Sequence, residues 1–172
     1  MRRRVAATGS AIFFALAPGI VAGLVPWWLT GWRLREPLAH WALLRVVGIA
    51  LVAVGVTVLM HAFTRFVVEG FGTPAPVAPT ARLVVGGLYR YVRNPMYLAV
   101  VAVVVGQALL LWQPVLLVYG AIVCAAFVVF VLGYEEPTLR RQFGSSYEAY
   151  RHAVPAWLPR LHPWRPEGRE RS

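Results

Sequence analysis

The chain holds 172 residues, 59% of them apolar and 14% charged, with 17 arginines against seven glutamates and a formal net charge of +10. An ordinary soluble domain carries about 25% charged residues, so too few charges stand here to coat a water-facing surface, and a disordered chain would need low hydrophobicity instead. A small integral membrane protein remains, with arginines placed beside bilayer faces. No Arg-rich stretch has the interleaved polar character of a nucleic-acid arm, so no nucleic-acid partner is expected.

Ser10 to Leu29 runs without a charge behind Met1-Arg2-Arg3-Arg4. Its twenty residues, at about 1.5 Å each, reach about 30 Å, one hydrocarbon thickness. The run ends in Pro26-Trp27-Trp28 rather than a small-residue cleavage site, so it reads as an uncleaved first span. Trp27, Trp28 and Trp32 form an interface belt. Gly31 to Pro37 is a short loop carrying Arg33, Arg35 and Glu36. A second span follows from His40 to Phe63, with Arg45 snorkelling outward and Gly48 and Gly55 permitting close helix approach.

Arg65 to Pro95 is polar and contains Gly70, Gly72, Pro74, Pro76 and Pro79, which forbid a continuous helix. A loop this long is usually functional or a linker. Met96 to Tyr134 has no charge over 39 residues, enough for two spans. We read these as Tyr97–Trp112 and Val115–Tyr134, a tight hairpin turning at Gln113-Pro114. Cys124 lies inside this apolar run as a small hydrophobe, so neither a disulfide nor a cysteine zinc site is expected.

Glu135-Glu136-Pro137 is expected to end the fourth span, because proline disfavours helix at the residue before it. Leu139, Phe143, Tyr147 and Tyr150 then recur at helical spacing. They suggest an amphipathic helix lying on the membrane surface, with the two tyrosines as interface anchors. The tail after Pro155 is rich in Pro, Trp and Arg.

The expected fold is therefore an all-α integral membrane protein. It has about four transmembrane helices, a tight C-terminal helical hairpin and a C-terminal amphipathic interfacial helix. Four spans put both termini on one side. Fourteen of the 17 arginines then share the side of the termini and the Pro/Gly loop, while Arg33, Arg35 and Arg45 take the other. By the positive-inside rule the termini face the cytoplasm, in what is expected to be the cell inner membrane.

Two cytoplasmic segments differ from membrane filler. Arg82 to Tyr97 enters the third span, and Glu135-Glu136 leaves the fourth. An antiparallel hairpin must bring them side by side at one membrane face. Carboxylates at a bilayer edge are costly unless paired, solvated or used, and Arg90 and Arg93 can neutralise them. Carboxylates can hold ribose hydroxyls or an ammonium group, and Tyr89, Tyr91 and Tyr97 can stack a purine or attract a sulfonium. The same inventory also suits a plain juxtamembrane ion-pair cluster with interfacial tyrosines.

The run Gly87-Leu-Tyr-Arg-Tyr-Val-Arg-Asn-Pro-Met-Tyr97 is followed by an apolar hairpin and Glu135-Glu136. Phe143-Gly144, Tyr147, Tyr150, Val154-Pro155 and Leu158-Pro159 come next. In this order the motifs resemble the isoprenylcysteine carboxyl methyltransferase and phospholipid methyltransferase superfamily over Gly72 to Pro159. The resemblance implies S-adenosylmethionine bound at the cytoplasmic membrane face and a methyl group passed to a lipophilic small molecule or lipid entering from the bilayer. Carried over by position, cofactor contacts would come from Leu83, Val84, Tyr89, Asn94, Pro95, Met96, Tyr97, Glu135 and Glu136, with Arg82 and Arg93 in the same segment. It also divides the chain into two N-terminal transmembrane helices, 1–64, and a methyltransferase core, 65–172.

Two departures bear on the substrate. The family's Arg-His-Pro is here Arg93-Asn94-Pro95, and asparagine keeps a donor and an acceptor but cannot act as a general base. The isoprenylcysteine branch also carries an arginine about one turn before the glutamate pair, where this chain has Val131-Leu132. The expected activity is carboxyl O-methylation of an isoprenylcysteine-like or other lipidic acceptor, with phospholipid amine N-methylation as the alternative. A non-catalytic scaffold or a small transporter is the alternative of another class. No catalytic base, metal site or oligomeric state is assigned. His40, His61, His152 and His162 read as interfacial residues.

Overall fold

The computed structural model describes residues 16–35, 41–70 and 83–165. Within them every regular element is helical. Helix α1 covers Leu16–Thr30, α2 Trp41–Gly70, α3 Pro95–Leu111, α4 Pro114–Phe143 and α5 Ser145–Ala153. A 3₁₀ turn, Gly87–Arg90, precedes α3. The N-terminal arginines, the start of the first span, the Pro/Gly loop from residue 71 and Arg82 lie outside the described residues.

Two stretches are long and apolar enough to cross a membrane, the 24 residues Ala42–Arg65 and the 30 residues Pro114–Phe143. Both turn most of their apolar side chains outward, among them Leu43, Ile49 and Val54 on α2 and Val118, Ile122 and Val129 on α4. A soluble core helix would hide such residues. The packed centre is instead α3, whose Ala99, Val100, Val103, Val104, Gly106, Gln107 and Ala108 are buried.

Helices α2 and α3 pack through facing glycines. A methyl group added at Gly48 would lie 2.6 Å from the Leu110 amide nitrogen and 2.7 Å from the Gly106 carbonyl oxygen. The two backbones touch where ordinary side chains would hold them apart.

The α3–α4 turn falls at Trp112-Gln113-Pro114, as the sequence predicts. Trp112 adopts φ +53°, the left-handed cap that glycine usually supplies, and the Gln113 amide N–H donates to the Ala108 carbonyl at 2.9 Å. The Gln113 side chain donates to the Arg33 carbonyl at 2.7 Å, and the Arg35 N–H to the Leu111 carbonyl at 3.2 Å. The α1–α2 loop thus meets the α3–α4 turn at one end of the molecule.

Two helices contain a widened turn, Ile20–Leu24 in α1 and Val131–Glu135 in α4. In each, a backbone N–H reaches back five residues, Val25 to Ile20 and Glu136 to Val131. In each, a proline follows two positions after the wide turn, Pro26 and Pro137. Proline lacks a donor and its ring clashes with the carbonyl four residues back, and an inserted residue relieves that conflict without ending the helix. This corrects the expected stop at Glu135-Glu136-Pro137: α4 passes through all three and ends at Phe143.

In α1 the missing Pro26 donor would have served Val21 or Ala22. The Tyr119 hydroxyl donates to the Val21 carbonyl at 2.8 Å, and Gln107 Nε2 to the Ala22 carbonyl at 2.6 Å. The Trp32 indole N–H donates to Gln107 Oε1 at 3.1 Å. One buried amide therefore links the end of α1, its wide turn and α3.

Candidate active site

The end of the bundle opposite the α3–α4 turn gathers residues 83–97, the Glu135-Glu136 doublet, α5 and the chain after it. Gly87 sits at φ +56°, and a side chain there would lie 2.8 Å from His61 Nε2 on α2. Both the backbone conformation and the close approach call for glycine. The turn buries Tyr89 against Ala62 and Val84, with its hydroxyl 2.8 Å from Met96 Sδ. Asn94 stands immediately before α3, with Pro95 as a first-turn residue whose missing N–H costs nothing.

The convergence expected of the hairpin is present. The Tyr97 hydroxyl donates to Glu135 Oε2 at 2.8 Å. Arg93 Nη1 donates to Glu136 Oε1 at 2.8 Å and to the Tyr147 hydroxyl at 3.0 Å. Arg151 Nε reaches Glu136 Oε2 at 3.2 Å. The adjacent carboxylates are thus unequal. Both oxygens of Glu136, 5% exposed, are held by guanidinium groups. Glu135 is bound through one oxygen, and its other oxygen has no hydrogen-bond partner among the described residues. Arg93 Nε is likewise buried without a partner among them.

An open cleft lies over these groups. Leu83, Val84, Tyr89, Arg93, Asn94, Glu135 and Glu136, all named from the sequence, line it. Tyr97 lies behind the lining and holds Glu135. Pro95 is buried at the start of α3, and Met96 packs beside Tyr89. Arg82 lies outside the described residues.

Four lining residues were not assigned from sequence: Val131, Leu139, Tyr147 and Tyr150. The helical spacing of the last three was visible, but the direction they face was not. Tyr147 and Tyr150 are 2% and 3% exposed and pack with Leu83, Val85, Leu139, Phe143, Val154 and Trp164. The reading of the two tyrosines as interface anchors is therefore corrected: the stripe faces the protein. Gly144 divides the expected single helix, with φ +52° and ψ −126°, a combination essentially reserved for glycine. Burial pushes both phenols above the ordinary tyrosine range, against the opposing pull of the Arg93 guanidinium. Both remain neutral hydroxyls at physiological pH. The Tyr150 hydroxyl donates to the Tyr89 carbonyl at 2.7 Å.

The family model for phospholipid methyltransferases matches residues 38–146, from the start of α2 past the glutamate doublet. The chain belongs to the phospholipid methyltransferase family. Among curated proteins, protein-S-isoprenylcysteine O-methyltransferase B of Arabidopsis thaliana is 32% identical over 78 residues, 45% of this chain and 40% of the relative's length. No solved structure matches. The superfamily that the motifs resemble is thereby shown. Family membership is in keeping with the outward-facing apolar helices.

Proposed function

We propose that this protein is an S-adenosylmethionine-dependent methyltransferase that modifies a lipophilic acceptor at the cytoplasmic membrane face. The observation that carries the reading is the double clasp Tyr97–Glu135 and Arg93–Glu136, which joins the two motif segments across one cleft. The cofactor fits the groups on offer. The second Glu135 oxygen can accept from ribose hydroxyls or the amino group, and the free Arg93 Nε can donate to a carboxylate.

When bound, the cofactor supplies an electrophilic methyl group on a sulfonium for in-line displacement. The chain's part is alignment and exclusion of water. Arg93 and Arg151 hold Glu136 in place, so the clasp keeps its shape during turnover. Glu135 would hold the cofactor's periphery. An anion close to the sulfonium would stabilise the ground state more than the transition state, where that charge is disappearing.

The acceptor we favour is a lipidic carboxylate, which attacks without a base, so Asn94 in place of the family histidine is tolerated. Phospholipid amine methylation is the second reading, favoured by Val131-Leu132 standing where the isoprenylcysteine branch has its carboxylate-reading arginine.

In this reading α1 and α3 also cross the bilayer, giving four spans. Residues 1–64 carry the first two and 65–172 form the core. The arginine-rich side, with the cleft and both termini, faces the cytoplasm of the inner membrane.

Equilibrium binding of S-adenosylmethionine to the purified protein tests the cofactor. Methyl transfer from labelled cofactor to a membrane lipid extract, read by mass shift, tests activity and separates the acceptors. Transport without cofactor binding would replace the reading with a transporter, and binding without transfer would leave a scaffold.

A further inference from the structure

The chain beyond α5 is fastened to the segment that leads into α3. The Arg93 N–H donates to the Pro155 carbonyl at 2.9 Å, Asn94 Nδ2 to Ala156 at 3.2 Å, and the Arg160 N–H to Tyr91 at 2.9 Å. The Trp164 N–H donates to the Arg90 carbonyl at 2.9 Å, and Arg90 Nε returns to the Trp164 carbonyl at 2.7 Å. The Trp164 ring packs 5.4 Å from Tyr150. Residues 155–164 thus form a strap held along its whole length.

Two of its side chains point away from everything described. Leu158 is 79% exposed and Leu161 is 91% exposed. A lone exposed leucine needs no explanation, but two on a strap this firmly fixed hold a set direction. Their depth follows from α3. Its 17 residues span about 26 Å, less than a hydrocarbon core of about 30 Å. A helix that short draws its first turn down to the headgroup boundary. The strap is hydrogen-bonded to Arg90–Asn94, directly ahead of that turn, and so lies at the same level. Exposed Arg165 follows the leucines, placing a cation where anionic headgroups sit, while half-buried Arg160 turns its Nη1 back to the Ala153 carbonyl at 2.7 Å.

We propose that Leu158 and Leu161 insert into the cytoplasmic leaflet of the membrane that holds the protein, with Arg165 on anionic headgroups. The occupant is lipid, and the proposal rests on the membrane reading above. It moves the surface anchor from the tyrosine stripe of α5, which faces inward, to the strap.

The test attaches a nitroxide to Leu158→Cys, Leu161→Cys and, as reference on α4, Val118→Cys, each in a Cys124→Ala background. The proteins sit in nanodiscs of mixed phosphatidylcholine and phosphatidylglycerol. Collision with oxygen, which concentrates in lipid, is compared with collision with a water-soluble nickel chelate. At both strap positions oxygen is expected to dominate, as at Val118. Nickel dominance at both, with oxygen dominance at Val118, overturns the proposal and leaves the membrane reading intact. Shielding from both reagents means a protein contact and also overturns it. Nickel dominance at Val118 overturns the membrane reading and the proposal with it.

Discussion

At the scale of single residues, the glutamate doublet divides its labour. Glu136 is an internal clasp, and Glu135 leaves one oxygen unbonded among the described residues, which in the proposed function would take a ligand. Glu136→Ala leaves Arg93 without its counter-charge, and removing one partner of a buried pair costs about 3–5 kcal/mol. Thermal unfolding in detergent is expected to show a large fall in midpoint. Glu135→Gln is expected to preserve that midpoint while weakening S-adenosylmethionine affinity by roughly tenfold, the worth of one charged hydrogen bond. Tyr97→Phe frees Glu135 to swing, and a smaller loss of affinity is expected in the same titration. An equal unfolding shift in Glu135→Gln and Glu136→Ala would contradict the division.

At the scale of elements, the decisive features are a proline that does not end a helix and a glycine that does. Gly144→Ala forces a side chain onto φ +52°, ψ −126°, a strain of about 1–3 kcal/mol. It is expected to lower the unfolding midpoint and loosen Tyr147 and Tyr150 from the cleft, which their intrinsic proton-exchange or fluorescence signals would report. The sequence discloses the hairpin because a long uncharged run and Gln113-Pro114 are local signals. The side-by-side placement of Tyr97 and Glu135 then follows from antiparallel topology alone. The passage of α4 through Pro137 was not legible, since the widened turn that permits it depends on the surrounding packing. The stripe Leu139, Phe143, Tyr147, Tyr150 has the period of an amphipathic helix but carries no sign of whether lipid or protein lies opposite.

At the scale of the whole molecule, one end holds the cleft and the other holds the connections. The strap is bound at the cleft end in a way no periodic pattern announces, since its bonds run mostly through backbone groups that every residue possesses. Deleting residues 156–172 strips Tyr91, Arg90 and Asn94 of partners. A drop of tenfold or more in cofactor affinity is expected, with α2 and α3 still packed. Gly48→Val strikes the opposite end of the logic: the helices must separate, and loss of folded protein on size-exclusion chromatography is the expected result.

The amide of Gln107 and the phenol of Tyr119 have a consequence for how the chain is made. They cover carbonyls of Ala22 and Val21, some 85 and 98 positions earlier in the chain. If α1 crosses the bilayer as proposed, the ribosome delivers it there long before either donor exists, and a bare carbonyl in hydrocarbon costs several kcal/mol. Synthesis order therefore runs against bonding order. In that reading the newly made α1 stays near water, or beside insertion machinery, until the later hairpin arrives to seal it.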